Sequence, residues 1–143
     1  MDTLSELLAE LSNFEGRDNG LRAIYRWRTW KPMFYRANLY SHGKKIALMV
    51  YAVGPILKEV LGEEFDVTKA MATALVHDDP EMITGDYMSG DKAKMTKDEL
   101  DAIDAEERQA IKKLSERFPL TFSGFNYEEL QLDVQDLRTP EAR

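Results

Sequence analysis

The sequence predicts an all-α fold. Apolar residues recur at helical spacing in several segments, and helix-capping residues precede several of these segments. Sustained period-two alternation, which marks a half-buried strand, does not occur in the sequence. The length of 143 residues fits one domain. We therefore expect a single helical domain over residues 1–143.

The N-terminal segment predicts two helices. The first is amphipathic, and its apolar face consists of Leu4, Leu7, Leu8, Leu11 and Phe14. Gly16 is expected to end it, because glycine favours the backbone conformation that follows a helix. A short second helix is expected near residues 21–27. It should break before Pro32, because the residue before a proline is disfavoured in helical conformation.

A third helix is expected from His42 onward. Its apolar stripe consists of His42, Ile46, Met49, Val50 and Val53. This stripe predicts that His42 faces inward. Gly54-Pro55 lies within the pattern, and proline cannot donate the helical hydrogen bond. We therefore expect a kink there, with a second piece that runs to Leu61.

A fourth helix is expected to place the segment "HDD" at its C-terminal end. Asp66 or Thr68 is the expected N-cap, because either side chain can accept a hydrogen bond from a free amide of the first turn. Pro80 interrupts the helical pattern, and residues 86–95 predict a polar loop. His77 and Asp78 are therefore expected where a helix ends.

Two capping motifs predict helices in the C-terminal part of the chain. Thr96 and Glu99 form the capping box of a long charged helix that ends before Pro119. Asn126 and Glu129 have the same spacing, and the following residues "EELQLDVQDL" have helical composition. We therefore expect a further helix from Asn126.

Composition restricts the classes of function. Nineteen basic against 26 acidic residues give a net charge of -7, which disfavours a nucleic-acid polymer as partner. Without cysteine, a metal would need nitrogen and oxygen ligands. The N-terminus "MDTLSELLAELSNF" is unlike a secretory signal, and no apolar run approaches the roughly 20 residues that span a bilayer. We expect a cytoplasmic protein without a membrane partner.

The two histidines of the chain suggest a metal site. Antiparallel packing of their helices would bring His42 to His77, and the adjacent Asp78 would supply a carboxylate. Imidazole nitrogens and carboxylate oxygens suit divalent first-row metals, which polarise a phosphoryl oxygen and acidify a bound water. The alternative is that both histidines are hydrogen-bonded core residues. The residues alone leave both interpretations open.

The order of several motifs resembles the HD-domain metal-dependent phosphohydrolases, and most closely the bacterial 5'-deoxynucleotidase branch. In that branch an Arg-Trp pair precedes the first histidine, and a His-Asp doublet is followed by a two-residue gap, Glu, and Thr-Gly-Asp. Here these elements are Arg26-Trp27, His42 and "HDDPEMITGD". The similarity runs from about residue 24 to the end of the sequence. It implies an HD-domain helical bundle.

The resemblance implies roles for matching positions. His42, His77 and Asp78 would be metal ligands for Mn, Co, Zn or Fe, among which ligand chemistry does not choose. Glu81 would be the catalytic carboxylate that activates or orients the attacking water. Asp86 would be a second carboxylate near the substrate. A plain turn at Gly85-Asp86 is the alternative for that position.

The Arg-Trp pair would bind the substrate in this family. Arg26 would hold the 5'-phosphate through a bidentate contact, which guanidinium geometry favours. Trp27 would pack against the deoxyribose and disfavour a 2'-hydroxyl. Without the family motif, Arg26 would be read as a surface charge and Trp27 as a core aromatic.

The chain departs from the family pattern at two places. Ser41-His42-Gly43 stands where the family commonly has Glu-His-Ser. The family also has a fourth metal ligand, an Asp, which by the family's spacing would fall roughly six residues, or under two helical turns, beyond Arg143. We therefore expect that this domain lacks its C-terminal helix. The alternative is that Asp133 or Asp136 supplies the ligand.

The resemblance implies a metal-dependent phosphohydrolase that removes the 5'-phosphate from deoxyribonucleoside monophosphates. One alternative is an HD-type hydrolase of deoxynucleoside triphosphates. The other is a non-catalytic nucleotide-binding or interaction module that keeps the helical scaffold. Members of the family are often dimers, so a homodimer is a further expectation.

Overall fold

Helices form most of the computed structural model, which describes residues 2–24, 38–85 and 94–143. The helices are α1 (Asp2–Leu11), α2 (Arg17–Arg22), α3 (Leu39–Leu61), α4 (Val67–Val76), α5 (Glu81–Thr84), α6 (Lys97–Arg117) and α7 (Tyr127–Asp136), with a 3₁₀ turn at Pro140–Ala142. Strands β1 (Thr121–Phe122) and β2 (Phe125–Asn126) form a short antiparallel hairpin. The predicted all-α class is confirmed. In the described part of the chain, no helix is long and apolar enough to cross a membrane.

Side chains cap three helices as predicted. Asp66 caps α4 and Asn126 caps α7, each by accepting a hydrogen bond from the backbone amide three residues later. At the start of α6, Thr96 and Glu99 form the complete, reciprocal capping box. Such caps satisfy amides that have no partner within the helix. Local sequence therefore determines where these three helices begin.

The second helix begins earlier than expected. It starts at Arg17, directly after Gly16, and ends at Arg22. Gly16 adopts a left-handed conformation with φ of 74°, which glycine adopts without steric cost. Leu21 is buried on this helix, whereas Trp27 of the expected range lies outside the described residues.

The third helix is continuous where two pieces were expected. It runs through Gly54 and Pro55 to Leu61, and Gly62 follows with φ of 99°. Gly54 is buried because α4 passes close to it, and a Cβ atom there would lie only 2.6 Å from Cγ1 of Val67. The glycine therefore permits close approach of α3 and α4.

The stripe predicted to face inward on α3 is only partly buried. Met49 is 66% exposed and Val53 is 43% exposed, so the prediction is wrong for these two residues. Small residues form the face that packs on α4, namely Gly43, Ala47 and Gly54. His42 is partly buried at the edge of this contact.

Helix α4 lies at the centre of the fold. Each of its residues from Ala70 to Val76 is buried. Leucines of α1 pack in the same core, together with an aromatic group that consists of Phe14, Phe118, Phe122 and Tyr127. The His77-Asp78 doublet follows directly after this buried helix, so the core determines its position.

Candidate metal centre

A close helix contact brings the two histidines together. His42 lies in the first turns of α3, and His77 is the residue after the last turn of α4. A Cβ atom on Gly43 would lie 3.3 Å from the carbonyl oxygen of Leu75 and 3.4 Å from that of Ala74. The glycine beside His42 therefore lets the backbone of α3 approach the end of α4.

Both imidazoles lie against the carboxylate of Asp78. Nε2 of His42 is 3.6 Å from Oδ2, and Nε2 of His77 is 3.3 Å from Oδ1. The two ring centroids are 5.5 Å apart. Each of the three residues offers one donor atom such that all three atoms lie within 4.8 Å of one another, and all three side chains are partly buried. The structure thus places three candidate ligands around one point.

A backbone hydrogen bond determines the tautomer of His77. Its Nδ1 lies 2.6 Å from the carbonyl oxygen of Ala74. Because a carbonyl oxygen only accepts, Nδ1 carries the proton in this bond, which in the neutral imidazole leaves the lone pair on Nε2. Metal-binding histidines commonly have such a second-nitrogen bond, which holds the ring in orientation. Two nitrogens and a carboxylate oxygen fit a divalent first-row cation.

Glu81 begins α5 one turn after the doublet. Its backbone amide donates to the carbonyl oxygen of Asp78 at 3.0 Å, and its side chain is partly buried. Gly85 ends α5 with φ of 81°. Asp86, the other expected catalytic carboxylate, lies outside the described residues.

The expected substrate-binding pair, Arg26 and Trp27, also lies outside the described residues. The chain on either side of this segment is described. The amide of Leu39 donates to the carbonyl oxygen of Ile24 at 2.9 Å, and the amide of His42 donates to that of Asn38 at 3.0 Å. Ile24 is therefore hydrogen-bonded to the first residue of α3, the helix whose first turn also contains His42.

Asp133 and Asp136 lie in other ion pairs. Asp133 is 3.9 Å from Nζ of Lys69 and 3.0 Å from a guanidinium nitrogen of Arg138. Asp136 pairs with Arg108, whose hydrogen bond holds the pKa of the Asp136 carboxyl below its ordinary value. Within the described ranges, the only metal-type cluster of three donors consists of His42, His77 and Asp78. Neither alternative fourth ligand joins it.

A pocket of about 310 Å³ opens beside His77. Its walls come from α3, α4, α7 and the C-terminal turn, and they include Ile46, Val50, Val134 and Ala142. Volumes of this order are at the small end of ligand pockets in proteins. The pocket is therefore lined on one side by His77, a candidate metal ligand, and elsewhere mainly by apolar side chains.

Asp79, the residue directly after the His77-Asp78 doublet, is completely buried. Its Oδ2 accepts hydrogen bonds from Nε of Arg17 at 2.9 Å and from the hydroxyl of Tyr127 at 2.6 Å. Arg17 is 2% exposed, and no role was predicted for it. One signal was available, because Arg17 continues the apolar spacing of Leu11 and Phe14 towards Leu21.

In the buried cluster of Arg17, Asp79 and Tyr127, the guanidinium of Arg17 is charged and the hydroxyl of Tyr127 keeps its proton. Burial alone would lower the pKa of Arg17, but the charge and hydrogen bond of Asp79 hold it above its ordinary value. Burial raises the pKa of the Asp79 carboxyl, yet two donors on one oxygen favour the carboxylate. Burial and the neighbouring Asp79 also raise the pKa of Tyr127 well above the usual value. Its hydroxyl is therefore a donor at neutral pH.

Comparison with known proteins places the chain in a family. The model of the YfbR-like 5'-deoxynucleotidases matches residues 14–141. The fold is similar to that of a predicted metal-dependent phosphohydrolase from Magnetospirillum magnetotacticum MS-1, with a TM-score of 0.65, 22% identity and 96% of this chain covered. The chain spans 65% of the length of that solved chain. No curated protein matches the sequence significantly. The match over residues 14–141 confirms the family resemblance: the chain belongs to the YfbR-like 5'-deoxynucleotidase family.

Proposed function

We propose that this protein is a metal-dependent phosphohydrolase that removes the 5'-phosphate from deoxyribonucleoside monophosphates in the cytoplasm. The observation that carries the proposal is the convergence of His42, His77 and Asp78, whose donor atoms lie within 4.8 Å of one another. Family membership supports the class of substrate. A phosphate ester is an anion, and an acidic protein of net charge -7 needs a local positive charge to bind it.

His42, His77 and Asp78 would hold the divalent cation, which is Mn, Co, Zn or Fe in this proposal. When bound, such an ion polarises a phosphoryl oxygen and lowers the pKa of a coordinated water. The hydrogen bond from His77 to Ala74 would keep one imidazole turned towards the ion. Asp133 and Asp136 would not belong to this ligand set, since both lie in other ion pairs.

Glu81 would act as the general base. It follows Asp78 by one helical turn and is not part of the ligand cluster, so its carboxylate can accept a proton from the attacking water. Proton transfer of this kind needs a carboxylate close to the reacting water, and the short helix α5 supplies a defined position for Glu81. Asp86 is proposed as a further carboxylate near the substrate.

Arg26 and Trp27 would recognise the substrate. We propose that Arg26 binds the 5'-phosphate in bidentate fashion and that Trp27 packs on the deoxyribose. The hydrogen bond of Leu39 to Ile24 supports this assignment, because it ties the chain just before Arg26 to the helix that carries His42.

Phosphate release from a panel of nucleotides tests the proposal. The chain is incubated with dNMPs, NMPs and dNTPs in Mn²⁺, Co²⁺ or Zn²⁺, and the products are identified. We expect inorganic phosphate from dNMPs, a lower rate with NMPs, and loss of activity in Asp78→Asn. Asp136→Asn is the matched control, because it removes a carboxylate outside the cluster.

Two results would contradict the proposal. Release of triphosphate or pyrophosphate from dNTPs, without activity on dNMPs, would identify a triphosphate hydrolase. Absence of any hydrolysis together with absence of stoichiometric metal would identify a non-catalytic module.

A further inference from the structure

The end of helix α4 receives side-chain hydrogen bonds from several parts of the fold. Three successive carbonyl oxygens accept them. That of Ala74 accepts from His77 at 2.6 Å, that of Leu75 from Nη2 of Arg17 at 2.6 Å, and that of Val76 from Nε2 of Gln131 at 2.7 Å. The last carbonyls of a helix have no partner within the helix. Here they connect the His77-Asp78 doublet to α2 and α7.

The residue after the doublet is held by two of the same elements. Asp79 accepts from Arg17 of α2 and from Tyr127 of α7 on a single carboxylate oxygen. Arg17 thereby bonds both to the last turn of α4 and to the residue that follows the doublet. Its third contact, Nη1 to Oδ1 of Asp18 at 3.2 Å, holds the guanidinium at its outer side.

The stability of the hydrophobic core does not by itself explain why these polar and charged side chains are buried. Desolvation of a guanidinium and a carboxylate is costly, and well-packed apolar residues often replace a buried ion pair without loss of stability. Hydrogen bonds, however, are directional, whereas apolar packing tolerates small rotations and shifts of a helix end. A metal site needs its ligands held to within a fraction of an ångström. A directional arrangement next to the ligand doublet meets this need.

We propose that Arg17, Asp79, Tyr127 and Gln131 are positioning residues that fix the His77-Asp78 doublet in its metal-binding geometry. This inference rests on the proposed function, since it assigns a purpose to the bonds around the proposed ligands. These residues act through the backbone at positions 74–79. None of them belongs to the donor cluster itself.

Tyr127→Phe tests the proposal most cleanly, because it removes one hydroxyl and keeps the ring in the aromatic core. Binding of Mn²⁺ is measured by calorimetry at a temperature at which circular dichroism shows each variant folded. We expect about tenfold weaker Mn²⁺ binding, the lower end of the range for loss of a direct hydrogen-bond partner of a metal ligand, because Tyr127 acts on the ligand doublet through Asp79. Thr73→Val is the matched control. It removes another buried hydroxyl of the same region, one that donates to the carbonyl oxygen of Lys69 at 2.8 Å, and should leave Mn²⁺ binding unchanged.

Amide hydrogen exchange in the metal-free protein gives a second, independent readout. The amide of Asp79 donates to Val76, and that of Met82 donates to Asp79. In Tyr127→Phe we expect these two amides to exchange about tenfold faster, the factor that corresponds to one lost hydrogen bond. The amides of α1 and α6 should change less. If Tyr127→Phe does not fold, Gln131→Met provides the same test, because it removes the other hydrogen bond from α7, the one to the carbonyl oxygen of Val76.

Each outcome decides the proposal. Weaker Mn²⁺ binding with local acceleration of exchange supports it. Wild-type Mn²⁺ affinity, or the same acceleration of all slow amides, shows a purely structural role and overturns it. If the wild-type chain binds none of Mn²⁺, Co²⁺, Zn²⁺ and Fe²⁺, the proposed function fails, and the exchange of the Asp79 and Met82 amides alone decides whether the doublet is positioned by these residues.

Discussion

His77 donates a hydrogen bond from Nδ1 to the carbonyl oxygen of Ala74, 2.6 Å away and one turn back along the chain. The bond orients the ring so that its other nitrogen lies 3.3 Å from the carboxylate of Asp78. One backbone carbonyl thus sets both the tautomer and the orientation of a candidate ligand. The ligand doublet depends on the helix end that precedes it.

Loss of either imidazole should abolish tight metal binding. His42→Ala and His77→Ala each remove one of three donors, so we expect Mn²⁺ affinity to fall by more than the roughly 10- to 100-fold that outer-shell changes cost. Calorimetric titration measures the affinity. Asp133→Asn, a carboxylate paired with Lys69 and Arg138, is the control that should bind as wild type. Unchanged affinity in both histidine variants would contradict the assignment.

Glu81→Gln should separate catalysis from metal binding. The amide keeps the shape of the side chain but accepts no proton, so we expect kcat for dNMP hydrolysis to fall by about 10²- to 10⁴-fold while Mn²⁺ affinity stays the same. Steady-state kinetics and calorimetry give the two values. Glu64→Gln, at an exposed glutamate, serves as the control. A loss of Mn²⁺ affinity in Glu81→Gln would make Glu81 a ligand and not the base.

Gly54→Ala should destabilise the fold. The added methyl group would lie 2.6 Å from Cγ1 of Val67, and overpacking of this kind costs about 1–3 kcal/mol. Thermal and urea unfolding measure the loss. Val67→Ala removes the opposing methyl groups, so the double variant should lose less stability than the sum of the two single variants. Strict additivity would show that the two helices do not meet at this point.

Asp136 should titrate below an ordinary aspartate. Its pKa is lowered by the hydrogen bond from Arg108, so the pair stabilises the folded state above the unfolded pKa of about 3.9. This contribution is lost as the pH falls through the lower folded pKa. An NMR titration of the carboxyl carbon should show a lower midpoint in wild type than in Arg108→Gln. Equal midpoints would show that the two side chains do not interact in solution.

Local signals explain what could be predicted from the sequence. A cap involves a side chain and an amide three residues away, so Thr96 and Asn126 were identified without knowledge of the fold, and Asp66 was one of two candidates beside Thr68. The His-Asp doublet was predicted at a helix end because Pro80 follows it, and the structure places His77 directly after α4. The β hairpin was not predicted, because strands of two residues show no periodicity.

Tertiary contacts explain what could not be predicted. Apolar periodicity assigned Met49 and Val53 to the buried face of α3, but α4 packs against glycine and alanine positions, where small side chains allow the closest approach. Asp79 finds its partners 62 and 48 residues away in the chain. No local sequence pattern predicts a hydrogen bond between residues so far apart in the chain, so the burial of Asp79 could be seen only in the structure.

The location of a bound ion tests whether His42, His77 and Asp78 form one metal site. A crystal of the protein soaked with Mn²⁺ is measured at a wavelength that gives anomalous scattering from manganese. We predict one strong anomalous peak in contact with an imidazole nitrogen of His42, Nε2 of His77 and the carboxylate of Asp78. A fully occupied manganese site elsewhere, with these three side chains bound to no ion, would contradict it.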